Sequence, residues 1–495
     1  MSEINKKSED VINKIKSDIK TNHKQDITGD KLQKVLLDMV DSTDLKFVET
    51  DTRLTDANRA IGTKISQVYT DGVTIKGTGT QSNPLRSILP SGMEDVLSYG
   101  VKFIGSSPDA IRTGNLDLHR SLPLQSQMKR CLVKDDGTVN YWLSQNNSLL
   151  KEDGTSSRLD GRDGQVMVYI PQIFYKVIID GDNVEYRLSE YNIEGYESIG
   201  ASFISAYQAT LDRSNNLLSS VVNETANFRG GNNTSSWDDT YRSLLGKPVS
   251  NISLTNFEAY GRNRGNYWNC LEYASYKAMV FLFMVEYATR NSQKDFVSDV
   301  NSDGFRQGGL GMGATELDSA KWSTYNGYNP ILNCGITNHL GNNTGVGSIT
   351  MPPEYDDTNQ KLNYNSYRGV EIPFGHLWVW CSGVIMNMQS DAEGGKSIVS
   401  VYGKEVGNAP RVEGYVRHVI HNQIIPREVG GGSTSNYCDY YYRGSIPTEG
   451  TTLRGFLFGG SSYNSSHAGL FGSHTYHSPA YASAFIGSRL CFLIR

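Results

Sequence analysis

The sequence has no long hydrophobic run. Its longest apolar stretch, residues 278–285, is far short of the roughly 20 residues that a membrane-spanning helix needs, so membrane insertion is not expected. The opening Met1-Ser-Glu-Ile-Asn-Lys-Lys is polar, and no secretory signal peptide is expected. Positive charge is not in excess: 47 Lys and Arg against 52 Asp and Glu give a net charge of −5. A nucleic-acid partner is excluded, because no basic face is available to neutralise phosphates. Paired cysteines are also missing. Cys131, Cys270, Cys334, Cys381, Cys438 and Cys491 are spaced by at least 47 positions, without CxxC or Cys/His metal spacing. They are expected to be reduced, buried thiols. No Gly-x-Ser-x-Gly elbow or His-Glu-x-x-His pair occurs, so no catalytic residues, metal or cofactor are assigned.

What is present is glycine and tyrosine. Fifty glycines among 495 residues are about 10%, against a usual 7%, and 29 Tyr outnumber 16 Phe and 6 Trp together. Such a chain is turn-rich and β-containing, with length for about three domains. Its two ends differ. Residues 1–65 carry 12 basic and 12 acidic side chains and one aromatic residue, Phe47; residues 430–495 carry four Arg, two acids and 12 Tyr and Phe.

The charged end reads as helical. Thr28 can cap a segment in which Leu32, Val35, Leu36, Met39 and Val40 keep helical spacing. Phe47, Leu54 and Ile61 then recur every seven residues, a stripe too narrow to bury itself, which predicts a short coiled coil. Residues 68–94 read as a short β linker. Residues 95–190 read as a small antiparallel β domain, with a hairpin at Asp136-Gly137 and further strands at 165–170, 173–179 and 184–188. In residues 191–495 an all-round apolar helix is expected over 271–289, which belongs in a core, and a shorter one over 254–263. The fold class is therefore α+β. Trp378 and Trp380 are expected to be structural, with at least one in the core.

Three candidate sites carry weak signals. Gly309-Leu-Gly-Met-Gly313 has no clear strand before it or helix after it, as a phosphate loop would. His467, His474 and His477 cluster without a nearby carboxylate or thiolate, and read as surface histidines. Glu354, Asp356, Asp357 and Glu371 read as solvated loop carboxylates. The stronger signal lies in the last 65 residues, where Leu457, Phe458, Leu470, Phe471, Phe485, Ile486 and Leu490 alternate with stretches of Ser, Tyr, Asn and His. That is the alphabet of antibody paratopes: Tyr gives stiff amphipathic contact, and Ser, Gly and Asn adapt their hydrogen bonds.

Ile27-Thr-Gly-Asp-Lys-Leu-Gln-Lys-Val-Leu-Leu-Asp-Met-Val40, Ile75-Lys-Gly-Thr-Gly-Thr-Gln-Ser-Asn-Pro-Leu85 and Gly164-Gln-Val-Met-Val-Tyr-Ile-Pro171 resemble tail-fibre proteins of tailed bacteriophages. Gly375-His-Leu-Trp-Val-Trp380 and Ile486-Gly-Ser-Arg-Leu490 resemble the C-type-lectin fold. The branch is the one shared by formylglycine-generating enzymes and the variable proteins of diversity-generating retroelements, of the tropism-determinant type. The resemblance implies a phage tail fibre in the virion: a helical attachment segment at 1–67 meeting other tail proteins, and a lectin-like head at 191–495 that binds a host-cell receptor. A homotrimer is expected, and enzyme activity is not. The ligand surface it implies comprises Tyr437, Asp439, Tyr441, Ser461, Tyr463, Asn464, Ser466, His467, His474, Tyr476, His477 and Tyr481. The alternative is a structural collar or baseplate component whose lectin-like domain contacts other virion proteins. Glu-Pro-Asn, Gln-Pro-Asp and Trp-Asn-Asp, which a calcium-dependent sugar-binding lectin would carry, are absent. Calcium-mediated sugar binding is not implied.

Overall fold

The all-round apolar segment forms the helix Tyr273–Tyr287, and only Ala274 in it is not buried. Its two charged residues are each answered inside the protein. Lys277 Nζ donates to the Tyr175 hydroxyl and to the Asn422 carbonyl, at 3.1 and 3.0 Å. Glu286 takes both arms of the Arg368 guanidinium, at 2.6 and 2.7 Å, and the Tyr367 hydroxyl at 3.1 Å. Paired in this way, the buried charges avoid the large cost of isolated ones. Ala288, with φ of 52°, ends the helix in the left-handed region.

Strands surround that helix in this computed structural model, which describes residues 68–70, 73–76, 86–355 and 358–494. The helical attachment segment, its Phe47, Leu54 and Ile61 stripe, and Asp356 and Asp357 lie outside the described residues. The start of the β linker forms a small sheet of Val68–Thr70, Val73–Lys76 and Arg86–Ile88. A five-stranded antiparallel sheet runs in the order Glu197–Ile199, Ile173–Asp180, Asn183–Ser189, Ser98–Phe103 and Ala110–Gly114. A six-stranded one runs Trp268–Cys270, Leu490–Leu493, Ser202–Ser205, Gln165–Ile170, Arg130–Val133 and Val139–Trp142. The third, nine-stranded sheet centres on Trp378–Gln389, Thr451–Gly459, Gly469–Thr475 and Tyr440–Arg443.

The boundary expected at residue 190 is crossed by hydrogen-bonded ladders. Ser202–Ser205 pairs with Gln165–Ile170 on one side and with the last strand, Leu490–Leu493, on the other. One apolar cluster runs from Tyr99 and Val168 through the central helix to Phe456 and Phe471. The β-rich block at 95–190 is therefore a layer of the same compact unit, because its sheets need the central helix and the C-terminal strand to cover them. Trp378 and Trp380, two apart on one strand, share a face, and both are buried with Trp268, Leu457 and Ile486.

Polar groups hold the long loops from within. Arg130 donates to the Gly369 carbonyl, Ser148, Asn338 and Thr337 at 2.7–2.9 Å. Arg489 donates to the carbonyls of Ser205 and Ile372, at 3.2 and 2.7 Å, and also to that of Glu371. The Glu371 carboxylate, expected in a solvated loop, is buried and accepts from Gly335, from the Thr337 amide and from the Thr337 hydroxyl at 2.8–2.9 Å. His376 is also buried. Its Nε2 accepts from the amides of Ile331 and Leu332, at 3.0 and 3.3 Å, so Nδ1 carries the proton toward Gln208 Oε1 at 2.7 Å. Burial lowers its pKa to about 3, and the ring stays neutral. The Gly309 and Gly311 amides are spent on the carbonyls of Asp295 and Lys294, at 2.9 Å each, and do not form an anion cradle.

Candidate binding face

Strand alternation decides what the C-terminal region shows to solvent. In Tyr440–Arg443 successive side chains point to opposite faces. Tyr441 points inward, is 0% exposed, and shares a hydrogen bond of 2.9 Å with the Thr475 hydroxyl. Tyr440 and Tyr442 point outward. Next to this strand Gly469–Thr475 runs parallel, pairing Tyr442 with His474. On the other side Tyr415 pairs with Tyr440. The pairing brings aromatic side chains from three strands onto one face.

The rings on that face touch in series. Tyr440 stacks on His467 with centroids 4.1 Å apart and planes 9° from parallel. Tyr415 meets both edge-on, at 5.3 and 5.2 Å. Tyr442 lies 4.7 Å from Tyr440 and 5.8 Å from His474, whose other neighbours are Trp378 at 5.2 Å and His477 at 5.1 Å. His477 stacks on Tyr481 at 3.6 Å and meets Tyr476 at 5.2 Å. Beside this ladder Tyr463 rests on Trp322 and Tyr328, at 5.8 and 5.9 Å. Tyr463, Tyr476 and Tyr481 are 39%, 47% and 39% exposed. Each is backed by another ring, so little rotamer freedom remains to be lost on binding.

Burial keeps the imidazoles of the ladder neutral. Asn464 Nδ2 donates to the Tyr442 hydroxyl at 3.2 Å, and that hydroxyl shares a hydrogen bond of 2.5 Å with His467 Nδ1. The Tyr476 amide donates to His474 Nδ1 at 3.2 Å. Burial lowers the pKa of His467, lowers that of His474 to about 3 and lowers that of His477 to about 4; His477 beside His474, and Arg454 beside His477, act in the same direction. At neutral pH the ladder carries no imidazolium charge.

The twelve residues that the resemblance implied divide by this geometry. Tyr463, Tyr476 and Tyr481 are exposed, and Ser466, His467, His474 and His477 are half-buried on the same ladder or beside it. Tyr437, Asp439, Tyr441, Ser461 and Asn464 are interior and are corrected to structural residues. Tyr437 shares a hydrogen bond of 2.8 Å with Tyr186, and the Arg290 guanidinium lies over its ring. Asp439 accepts the Phe471 amide at 2.8 Å, and burial holds its pKa well above the usual carboxylate range. A Cβ on Gly469 would fall 2.2 Å from Asp439 Oδ1, so only glycine fits there. Ser461 donates its amide and hydroxyl to Asn464 Oδ1, both at 2.7 Å. Tyr437 and Asp439 lie in the buried turn before the strand, where Cys438 between them has a φ of 63° and is buried too, and Tyr441 is on the strand's inward face. Tyr415, Tyr440 and Tyr442, which the structure places on the outward face, are not among the twelve.

All six cysteines are free and buried, and burial pushes the Cys438 thiol up to about 12. Among the described residues no group of three or more His, Cys, Asp or Glu is placed to hold a metal ion, and no helix is long and apolar enough to cross a membrane. No family model and no curated protein matches the chain. Among solved structures, the Major Tropism Determinant U1 variant matches over 86% of this chain and 83% of that one, at 13% identity and a TM-score of 0.25. The M1 variant matches over the same shares at 14% identity and a TM-score of 0.25. The P3c variant has 13% identity and a TM-score of 0.22. Scores this low are a likeness and carry no argument about site or partner.

Proposed function

We propose that this chain is a receptor-binding protein of a bacteriophage tail. Its ring ladder meets a receptor on the host cell, and residues 1–67 trimerise and attach it to other tail proteins. The C-terminal part has the lectin-like fold that the sequence resemblance implies, used without catalysis. One observation carries the reading: three sheet strands and two loops converge to present Tyr415, Tyr440, Tyr442, His467, His474, Tyr476, His477 and Tyr481 in one contacting series at the surface. Stiff, amphipathic rings of low conformational entropy are what a recognition surface uses.

The test is adsorption of virions carrying Tyr463→Ala, His467→Ala, Tyr476→Ala and Tyr481→Ala together. If one of these is a hot spot, its loss costs about 2 kcal/mol, roughly 30-fold in affinity per site, and several copies per fibre enlarge the effect. Adsorption should collapse while the melting temperature of the isolated chain stays within a degree or two. Normal adsorption by the quadruple variant would refute the reading in favour of a structural spacer.

A further inference from the structure

Charge around the ladder is sparse, and what there is stands at its margin. The Arg443 guanidinium donates to the Gly444 carbonyl at 2.6 Å. Arg454 donates to the carbonyls of Tyr476 and Ser445, at 2.6 and 3.0 Å. Glu413 accepts the Arg443 amide at 2.9 Å. Of the three imidazoles between them, His474 accepts the Tyr476 amide at Nδ1, and His467 shares its Nδ1 hydrogen bond with the Tyr442 hydroxyl. A neutral imidazole offers one donor and one acceptor, and a phenol offers both at once. The His474 ring proton is left on Nε2. The hydroxyls of Tyr476 and Tyr481 are given no hydrogen-bond partner among the described residues. Two clefts lie away from this face, one lined by Tyr241, Tyr325 and Tyr355 and one by Val177, Ile179 and His418. A protein partner would seat anchor side chains in pockets and set its charges against opposite ones. This face offers ring surfaces and two-way hydrogen-bonding groups in their place.

Resting on the receptor-binding reading, we infer that the occupant is an uncharged surface glycan. The C–H faces of its pyranose rings would lie on Tyr463, Tyr476 and Tyr481, and its hydroxyls would meet the neutral imidazoles and phenols. A sugar hydroxyl both donates and accepts, so it matches each of these groups without a buried unpaired charge. An acidic polymer or a charged peptide would leave its charges desolvated against neutral rings.

The experiment uses the full-length chain on bacterial cells to which it binds, with three treatments. One set of cells is oxidised with periodate, which cleaves vicinal diols. A second is digested with protease. On untreated cells, binding is competed with polysaccharide stripped from the same cells and passed through an anion exchanger, so that only the neutral fraction remains. Expected are loss of binding after periodate, competition by the neutral fraction, and less than about a two-fold change in affinity between low and high salt, because no charge is screened. Tyr481→Ala and Tyr476→Ala should each weaken binding about ten-fold or more with an unchanged melt. Binding that resists periodate and is lost to protease would overturn the glycan inference while leaving receptor binding intact. So would failure of the neutral fraction to compete, or a steep fall of affinity with salt. Absence of binding to any cell strain would instead remove the receptor-binding reading on which the inference rests.

Discussion

Substituting neighbours on one strand tests the inward and outward assignment directly. Tyr441→Ala removes a 0%-exposed ring that lies against Met386 and bonds the Thr475 hydroxyl. Truncating a buried aromatic ring costs about 3–5 kcal/mol, the range for Phe or Trp to Ala. The stranded Thr475 hydroxyl keeps a weaker contact to the Tyr442 carbonyl at 3.4 Å, so its penalty is small. For a compact unit of about 400 residues, an unfolding entropy near 2 cal/mol/K per residue turns 4 kcal/mol into a fall in melting temperature of about 5 °C. Tyr441→Phe keeps the ring and loses one hydrogen bond, worth about 1 kcal/mol, so it should shift the melt by only a degree or so. Tyr440→Ala, next in sequence but half-buried on the outer face, loses ring contacts with His467, Tyr442 and Tyr415 and should cost about 1 kcal/mol, a shift of roughly a degree. Scanning calorimetry of the four proteins at pH 7 reads all of this. Equal losses for Tyr440→Ala and Tyr441→Ala would show that the strand's phase is wrong, and the composition of the face with it.

Trp380→Ala, with its ring buried among Trp268, Leu457 and Ile486, should cost about 3–5 kcal/mol, and Trp378→Ala about as much; a wild-type melt for either refutes the core assignment. The folded pKa values of His376 and His474 near 3, and of His477 near 4, lie below the 6.5 of an unfolded imidazole. The unfolded chain therefore binds protons that the folded chain refuses, and these residues withdraw stability as pH falls from about 6.5 toward 3–4. Buried Asp439 and Glu371, whose pKa values are raised, act in the opposite sense. The histidine share is read by His474→Phe, which should melt less differently between pH 7 and pH 4.5 than wild type; an unchanged difference refutes it. Arg489→Met should release the carbonyls at 371 and 372, and limited proteolysis should then cut near residues 371–376 faster than in wild type.

Local signals were legible in the sequence. The helix expected over 271–289 forms over Tyr273–Tyr287, and the Asp136-Gly137 turn joins the expected hairpin. Gln165–Ile170 has its expected bounds. All three depend on periodicity or turn chemistry within a few residues. The helix Ser319–Asn326 was missed, although its punctuation is ordinary: Asp318 accepts from the amides of Ala320 and Lys321, and Gly327 closes it with φ of 58°. Its Gly- and Asn-rich surroundings hid an eight-residue helix with little apolar periodicity. Long-range pairing was less legible still. Nothing local in Ser202–Ser205 says that this strand will enter between Gln165–Ile170 and the last strand, Leu490–Leu493, and its pairing with Gln165–Ile170 is what joins the two expected domains into one unit.

The error over the face has the same origin, and it explains how the site is built. The resemblance groups Tyr437, Asp439 and Tyr441, and all three are buried, the first two in the turn that leads into the strand and the third on the strand's inner face. That placement comes from partners more than 30 residues away: Phe471 and Thr475 on the neighbouring strand, and Tyr186 in the other half of the chain. An aspartate in a Tyr- and Ser-rich stretch suggests an outward residue on composition alone. Here the Phe471 amide and the bare backbone of Gly469 receive it inside. The buried polar groups thus fix the register of Tyr440–Arg443 against Gly469–Thr475. That register, in turn, sets Tyr442 opposite His474 and starts the ladder. The layout of the outer face therefore depends on polar bonds on the inner one. Changes to the outer rings should alter what is bound, whereas changes to Asp439 or Gly469 should remove the face altogether.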